Sequence, residues 1–445
     1  MNDDSDTPPH RHRAVPSGRL ARLGGFGRLA GGVAGGMLAE GARRLAAGER
    51  PSMGDLLLTP ANATRVADRL SHLRGAAMKL GQMISMDAGD MLPPELSTIL
   101  ARLRNQAYRM PPAQLDRVLR QEWGADWRRR FRHFEASPIA AASIGQVHRA
   151  TLPDGRVLAI KVQYPGVADS IDADVDNVAT LLRVSGVLPP SIDLTPLLAE
   201  AKTQLRDEAD YVREGAQLRA YRERLAGDPR YVVPELVEEL TTARVLAMTF
   251  VEGRAVETLA DAPQDTRDAV MTALVTLVLR ELFEFGVMQT DPNFANYRWQ
   301  PETGALVLLD FGAVRDVPAD TAAAYRRLIE AGLARDTDRI RDVAVETGFV
   351  GAAAAGAHRA ALDRIIAAID VALNRPGPFD FGDRAFVPVV REEAKAMIAD
   401  RATWHVPHVE TLFVQRKVSG TALLAARLKA RVEVRGLAAA AAIGA

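Results

Sequence analysis

The chain predicts an α+β fold, a small antiparallel sheet with added helices followed by a larger, mainly helical region. Three observations carry that expectation. Residues 145–164, "GQVHRATL", "PDG" and "RVLAIKVQY", alternate apolar and polar positions on both sides of a turn sequence, as a β-hairpin does. Residues 62–86 and 321–431 instead repeat apolar residues at intervals of three and four, the spacing of helices with one buried face. Residues 306–314, "LVLLDFGAV", form a short apolar run that closes on an acid and a glycine, a strand meeting a turn.

With 445 residues, 48% hydrophobic and 25% charged, the chain can bury one large core or two ordinary ones. Lysine plus arginine equals aspartate plus glutamate at 56 each, so no net field attracts nucleic acid, and none is expected as a partner. The absence of cysteine excludes disulfides, thiolate catalysis and cysteine-held zinc or iron–sulfur centres. No run reaches the ~18 apolar residues that span a bilayer. The nearest, residues 269–288, carries Arg280, Glu281 and Glu284 and reads as a buried helix.

Residues 1–17 open with acids and the pair Pro8 and Pro9 rather than a basic start and an apolar core, so they read as a disordered tail and not a secretion signal. Residues 18–50 are rich in glycine and alanine, with Gly27, Gly31 and Gly35 four apart. That segment reads equally as a membrane-interface helix, a self-associating helix that would make a homo-oligomer, or a flexible leader.

Residues 51–136 form a helical extension. Val66, Leu70, Leu73, Ala77, Leu80 and Ile84 share one face of its helix 62–86, which also bears "KLGQ", Lys79 to Gln82, and helical patterns run on to about Phe134. Between 137 and 250 the texture becomes strand. The hairpin's second arm puts Leu158, Ile160 and Val162 on one face and Val157, Ala159 and Lys161 on the other, directly after a small-residue loop. A lysine there is either exposed or reaches a phosphate under the loop. One long helix is expected over about 197–224, and its Glu208 and Glu214, six apart, fall on different faces at ~100° per residue, so only one is expected to meet Lys161. "ARVLAMTFVEG" at 243–253 reads as a further strand, and 251–445 as the helical region.

The chemistry lies in that last part. "MQTDPNFANYRW" supplies Asp291 and Asn296, five apart, and Asp310 follows fourteen residues later. Two acids and an amide offer hard oxygen ligands for Mg2+ and a group that orients an acceptor, which is what phosphoryl transfer from ATP needs. Each has a plainer use alone: a turn cap for Asp291, a loop residue for Asn296, a strand end for Asp310. Small-residue loop, "AIK", helix glutamate, "DxxxxN" and "DFG", in that order, form a set that points to an ATP- and Mg2+-dependent site.

"KLGQ" at Lys79, "AAASIGQVH" at 140–148, "AIKVQYPGV" at 159–167, "EADY" at 208–211, "TDPNFAN" at 290–296 and "LLDFGA" at 308–313 together resemble the UbiB family of atypical kinase-like proteins, also called ADCK. The resemblance runs from about Lys79 to "RKVSG" at 416–420, and "TDPNFAN" is more similar to members of the mitochondrial and alphaproteobacterial coenzyme Q type than to those reading "ADPHPGN".

It implies a bilobal, atypical protein-kinase-like fold with a family-specific N-terminal extension and inserted helices. It also implies that Lys161 meets the nucleotide's phosphates and pairs with Glu214, that Ala140, Ala141, Ala142 and Ser143 cover the nucleotide, and that Met248 to Val251 touch adenine. Asp291 takes the catalytic-loop role, and Asn296 and Asp310 hold Mg2+. Lys79 and Gln82, faced by Glu208 and Asp210, would occlude the place where a protein substrate docks. The implied role is support of ubiquinone biosynthesis, with proteins of that pathway, anionic membrane lipid and a quinone precursor as partners. The implied location is the cytoplasmic face of a bacterial inner membrane, as a peripheral protein, or the cytoplasm. The chain differs from bacterial members that carry a C-terminal membrane span, so membrane contact would rest on residues 18–45 and on surface patches.

Three activities stay apart: slow ATP hydrolysis at a membrane surface, phosphorylation of a small molecule, lipid or protein, and nucleotide binding by a scaffold without chemistry. The retained metal-type residues disfavour the scaffold. The alanine loop and "KLGQ" disfavour protein phosphorylation, because alanine's Cβ restricts the positive φ and the close backbone approach that glycine permits. Replacing Ala140, Ala141 or Ala142 with glycine is expected to change nucleotide affinity or preference in calorimetric titrations with ATP and ADP. Unchanged values in all three variants remove the loop from the nucleotide site.

Overall fold

The computed structural model describes residues 110–184, 195–291, 293–403, 405 and 408–443. They divide into two compact units, one running up to Gly215 and including Leu236–Phe250, the other holding Ala216–Glu235 and the chain from Val251 onward. The expected tail, the leader and most of the helical extension, Lys79 and Gln82 included, lie outside the described residues.

In the first unit, helix α1 (Pro112–Trp123) begins on a proline, whose missing N–H costs a first turn nothing, and ends at Gly124, whose φ of 88° reverses the chain. The helical pattern anticipated as far as Phe134 therefore stops early. One tight turn, Trp127–Arg130, leads into strand β1 (His133–Phe134). Strands β2 (Ala140–Ala141), β3 (Gly145–Thr151) and β4 (Val157–Gln163) follow, and Gly155, with φ 93°, turns the β3–β4 hairpin. Leu158, Ile160 and Val162 enter a core with Leu119, Trp123 and Ile144. Each such side chain contributes about 1.5–3 kcal/mol of apolar burial.

Helices α2 (Ile171–Val184) and α3 (Thr195–Glu208) are linked by Lys202–Asp176 and Arg206–Asp172 ion pairs, each at 2.6 Å. The single helix expected over about 197–224 is in fact α3 followed by α4 (Tyr211–Arg224). Asp210 makes the break: its carboxylate accepts the N–H groups of Val212 and Arg213 at 3.0 and 3.1 Å, capping a new helix start. Glu208 and Glu214 thus belong to different helices. After β5 (Tyr231–Val232), which is part of the second unit, β6 (Val245–Thr249) returns to pair with β4 and completes the antiparallel order β1-β3-β4-β6, with β2 also on β3.

A polar string is enclosed beside this sheet. Gln146 Oε1 accepts from Met110 N–H, its amide nitrogen donates to His148 Nε2, and His148 Nδ1 donates to the Glu135 carbonyl, each at 2.8 Å. With one ring nitrogen accepting and the other donating, the imidazole is neutral, and burial pulls its pKa down to about 4.

The second unit carries β7 (Arg254–Ala255) and then α5 (Gln264–Arg280), the buried helix anticipated around 269–288, with Val270, Met271, Leu274 and Leu277 inside. It widens into a π-type turn, Glu281–Phe285, and Gly286 ends it with φ 64°. Short strands β8 (Val287–Gln289), β9 (Tyr297–Trp299), β10 (Leu306–Leu308) and β11 (Val314–Asp316) follow. The sheet order is β5-β10-β9-β7, and β8 pairs separately with β11. Helices α6 (Ala319–Ala334), α7 (Thr337–Glu346), α8 (Ala352–Ala357), α9 (Arg359–Leu373), α10 (Val387–Ala399), α11 (Val409–Leu428) and α12 (Val434–Ile443) make the rest. The expected helical run over 321–431 is interrupted where β12 (Phe379–Asp380) pairs with β13 (Arg431–Val432), a contact too distant in sequence for periodicity to reveal. Among the described residues no helix is long and apolar enough to cross a membrane.

His148 makes acid stability testable. Its pKa in the folded chain, about 4, lies below the ordinary 6.5, so the folded state binds fewer protons than the unfolded one between those values. Stability is intact above 6.5 and falls as pH drops towards 4, by about 3 kcal/mol in all. Urea unfolding across that window is expected to show this slope in the wild type and a flatter one in a less stable His148→Leu variant. Parallel slopes exclude the imidazole as the source.

Candidate nucleotide and metal site

In the first unit the alternation of β4 sends Lys161 away from the Ile160 and Val162 side of the sheet, where α4 supplies its partner. Lys161 Nζ donates to both carboxylate oxygens of Glu214, at 2.7 and 2.9 Å, and both residues are buried. The ammonium also lies 5.0 Å from the centre of the Tyr211 ring. Glu214 can stand there because α4 restarts at Asp210, which sets its first turn. Glu208 is buried at the end of α3, and Asp210 is exposed and committed to the cap.

The small-residue loop is a tight hairpin. Ala140 and Ala141 are exposed on β2, Ala142 N–H donates to the Gly145 carbonyl at 2.9 Å, and Ser143 is half-buried. No residue from 138 to 148 has a positive φ, so alanine fits this backbone without strain. Gly145 is required for a different reason. A Cβ there would collide with the Val162 carbonyl and stand 2.9 Å from the Tyr211 hydroxyl. Met248 is buried in β6 opposite Ala159, and Val251, half-buried, opens the second unit.

In the second unit, strand pairing assembles the acids. Thr290, through its backbone N–H and its hydroxyl, donates to the Ala313 carbonyl at 3.1 and 2.8 Å, while Leu309 N–H donates to the Asn296 carbonyl at 3.0 Å. These bonds lay the segment with Asp291 and Asn296 beside the one with Asp310. Asn293 caps the short turn Phe294–Asn296 by accepting from Ala295 N–H. Asn296 donates its amide N–H to the Asp291 side chain and carbonyl, both at 3.3 Å, and Asp310 accepts from Gly312 N–H at 3.0 Å. Asp291 and Asn296 are both buried. The donor chemistry suits Mg2+: the Asp310 carboxylate, and an Asn296 amide whose nitrogen is turned to Asp291, leaving its oxygen for a hard cation.

Beneath that loop sits a group that sequence reasoning missed. Lys417 of α11 and Glu281 are both fully buried, 3.3 Å apart, and the ammonium donates to Tyr297 OH at 2.9 Å and to Gln289 Oε1 at 3.2 Å. Burial pulls the lysine's pKa down, but the Glu281 carboxylate and the Tyr297 phenol more than offset it, so the value stays above that of an ordinary lysine. The available signal was a pair of adjacent charges inside each of the otherwise largely apolar stretches "LFVQRKV" and "LVLRELF".

A protein with a helix-paired lysine on a small antiparallel sheet, and acids and an amide at the ends of short strands in a helical unit, is kinase-like in class. Comparison with known proteins agrees and is more specific. Residues 102–344 match the ABC1 atypical kinase-like domain. The chain is 38% identical over 435 residues to the mitochondrial atypical kinase COQ8B of Danio rerio, covering 96% of this chain and 69% of that one. It is 37% identical over 426 residues to the mitochondrial atypical kinase COQ8 of Saccharomyces cerevisiae, covering 94% and 84%. Among solved structures, Rv3197 of Mycobacterium tuberculosis, determined in complex with erythromycin, is similar at 26% identity and a TM-score of 0.59 over 83% of this chain and 92% of that one. The chain belongs to this ABC1 family of atypical kinases, also called UbiB or ADCK.

The buried pair in the first unit yields a stability test. Glu214→Ala leaves the Lys161 ammonium uncompensated and is expected to cost about 3–5 kcal/mol in urea unfolding, whereas the double variant Lys161→Met/Glu214→Met recovers most of that loss. A double variant as unstable as the single one shows that packing rather than charge holds the site.

Proposed function

We propose that the protein binds Mg-ATP and hydrolyses it slowly at an anionic membrane surface in support of ubiquinone biosynthesis, rather than phosphorylating proteins. The kinship with COQ8 proteins supports the pathway. The observation that carries the nucleotide reading is the bidentate Lys161–Glu214 pair, which holds an ammonium at one fixed place and in its charged form. In this reading the ammonium binds phosphate oxygens, and Asn296 and Asp310 hold the metal. When bound, Mg2+ neutralises charge on the phosphates. Asp291 orients the attacking water and takes its proton. Asn296, by donating to Asp291, keeps that carboxylate turned inward.

The alanine hairpin argues for slow turnover. A loop with ordinary φ throughout and one amide committed to its own turn offers phosphates fewer N–H groups than a glycine loop does. Membrane contact, a bacterial inner-membrane location and the occluding role of Lys79 and Gln82 belong to the same proposal and rest on family resemblance.

The test is phosphate release from Mg-ATP by the purified protein, with and without anionic-lipid vesicles and a phenolic quinone-precursor mimic, comparing wild type with Asp310→Asn. Release that rises with vesicles and disappears in the variant is the expected result. A phosphorylated mimic identifies a small-molecule kinase instead. Nucleotide binding without release or transfer under any condition overturns the turnover reading in favour of a scaffold.

A further inference from the structure

We infer that Lys417 is a positioning residue, a buried cationic clamp that holds both ends of the segment carrying Asp291 and Asn296 and, through Glu281 and Tyr221, the segment carrying Asp310. The inference rests on the metal-site reading above for its consequence in binding, but not for the clamp itself. Gln289 stands two residues before Asp291, and Tyr297 directly follows Asn296. One ammonium takes the side chains of both, at 3.2 and 2.9 Å, so the two ends of the loop are tied to a single point.

The counterion extends the tie. Glu281 Oε1 accepts from the Gln289 backbone N–H at 3.1 Å and from Tyr221 OH at 2.8 Å. The Tyr221 ring in turn packs on Phe311, next to Asp310, with ring centres 5.0 Å apart. All of these residues lie in the second unit. Core packing alone does not call for this arrangement, because a buried ion pair is usually no more stable than apolar residues of the same volume. What it supplies is directional hydrogen bonding to three separate segments.

The expected effects follow from removing the direction while keeping the volume. Lys417→Met removes the counterion of the buried Glu281 carboxyl and will destabilise the unit. The double variant Lys417→Met/Glu281→Gln is neutral, similar in size and expected to fold. Two readouts are made on the full-length chain. Without nucleotide, amide hydrogen exchange of residues 290–297 is expected to be faster by about tenfold or more in the double variant, with residues 157–163 of the first unit unchanged. In fluorescence titrations, the gain in ADP affinity on adding Mg2+ is expected to fall by about tenfold, with metal-free ADP binding as in the wild type.

Exchange and Mg2+ gain both unchanged in the double variant overturn the clamp. If the wild type itself shows no Mg2+-dependent nucleotide binding, the metal-site reading fails, and hydrogen exchange alone still decides whether Lys417 holds the loop. Uniformly faster exchange in both units marks a merely structural role and also overturns the inference.

Discussion

Lys161 and Glu214 meet at 2.7 Å almost wholly out of water. A charge in that position is tolerated only when its partner stands at one distance and one angle, so the pair dictates what the first unit must build. Strand β4 has to present alternate residues to opposite sides, with Ile160 and Val162 in the core and Lys161 away from it. Helix α4 has to begin where Glu214 falls in its first turn, and the Asp210 cap sets that start. Gly145 has to lack a side chain so that β3 can pass close to Val162 and Tyr211. The hairpin register, the helix break and the glycine answer one electrostatic demand.

The second unit solves a similar problem with longer reach. Its short strands carry Asp291 and Asp310 on neighbouring segments, and hydrogen-bond donors from the same segments fix both carboxylates. Asn296 and Gly312 donate to the carboxylates directly. Lys417 lies one layer down, where its charge acts through Gln289 and Tyr297.

Much of this was legible in the residues themselves. Alternation marked the β3–β4 hairpin and the side on which Lys161 lies, and apolar periodicity marked α5. The spacing of Asp291, Asn296 and Asp310 suggested the set that the proposed metal site uses, and the strand pairing lays their two segments side by side. The break between α3 and α4 was not legible, because Ala209 and Asp210 are flanked by good helical patterns and contain no proline or glycine. Only the geometry reveals that Asp210 caps forward instead of continuing the turn. The Gln146 and His148 string and the Lys417–Glu281 pair escaped for a different reason. Their partners are distant in the chain, and a polar residue among apolar ones does not announce what it will meet.

The enclosure of Glu281 and Lys417 also bears on how this chain can change over generations. Losing either charge alone strands the other in an apolar interior, a loss large against the stability of an ordinary domain. Both positions together can become neutral at little thermodynamic cost, but a lineage reaches that state through one of two damaged intermediates. The pair is therefore a valley in the mutational landscape, and drift at the two sites is expected to be correlated and rare even where the surrounding apolar residues of α5 and α11 exchange freely.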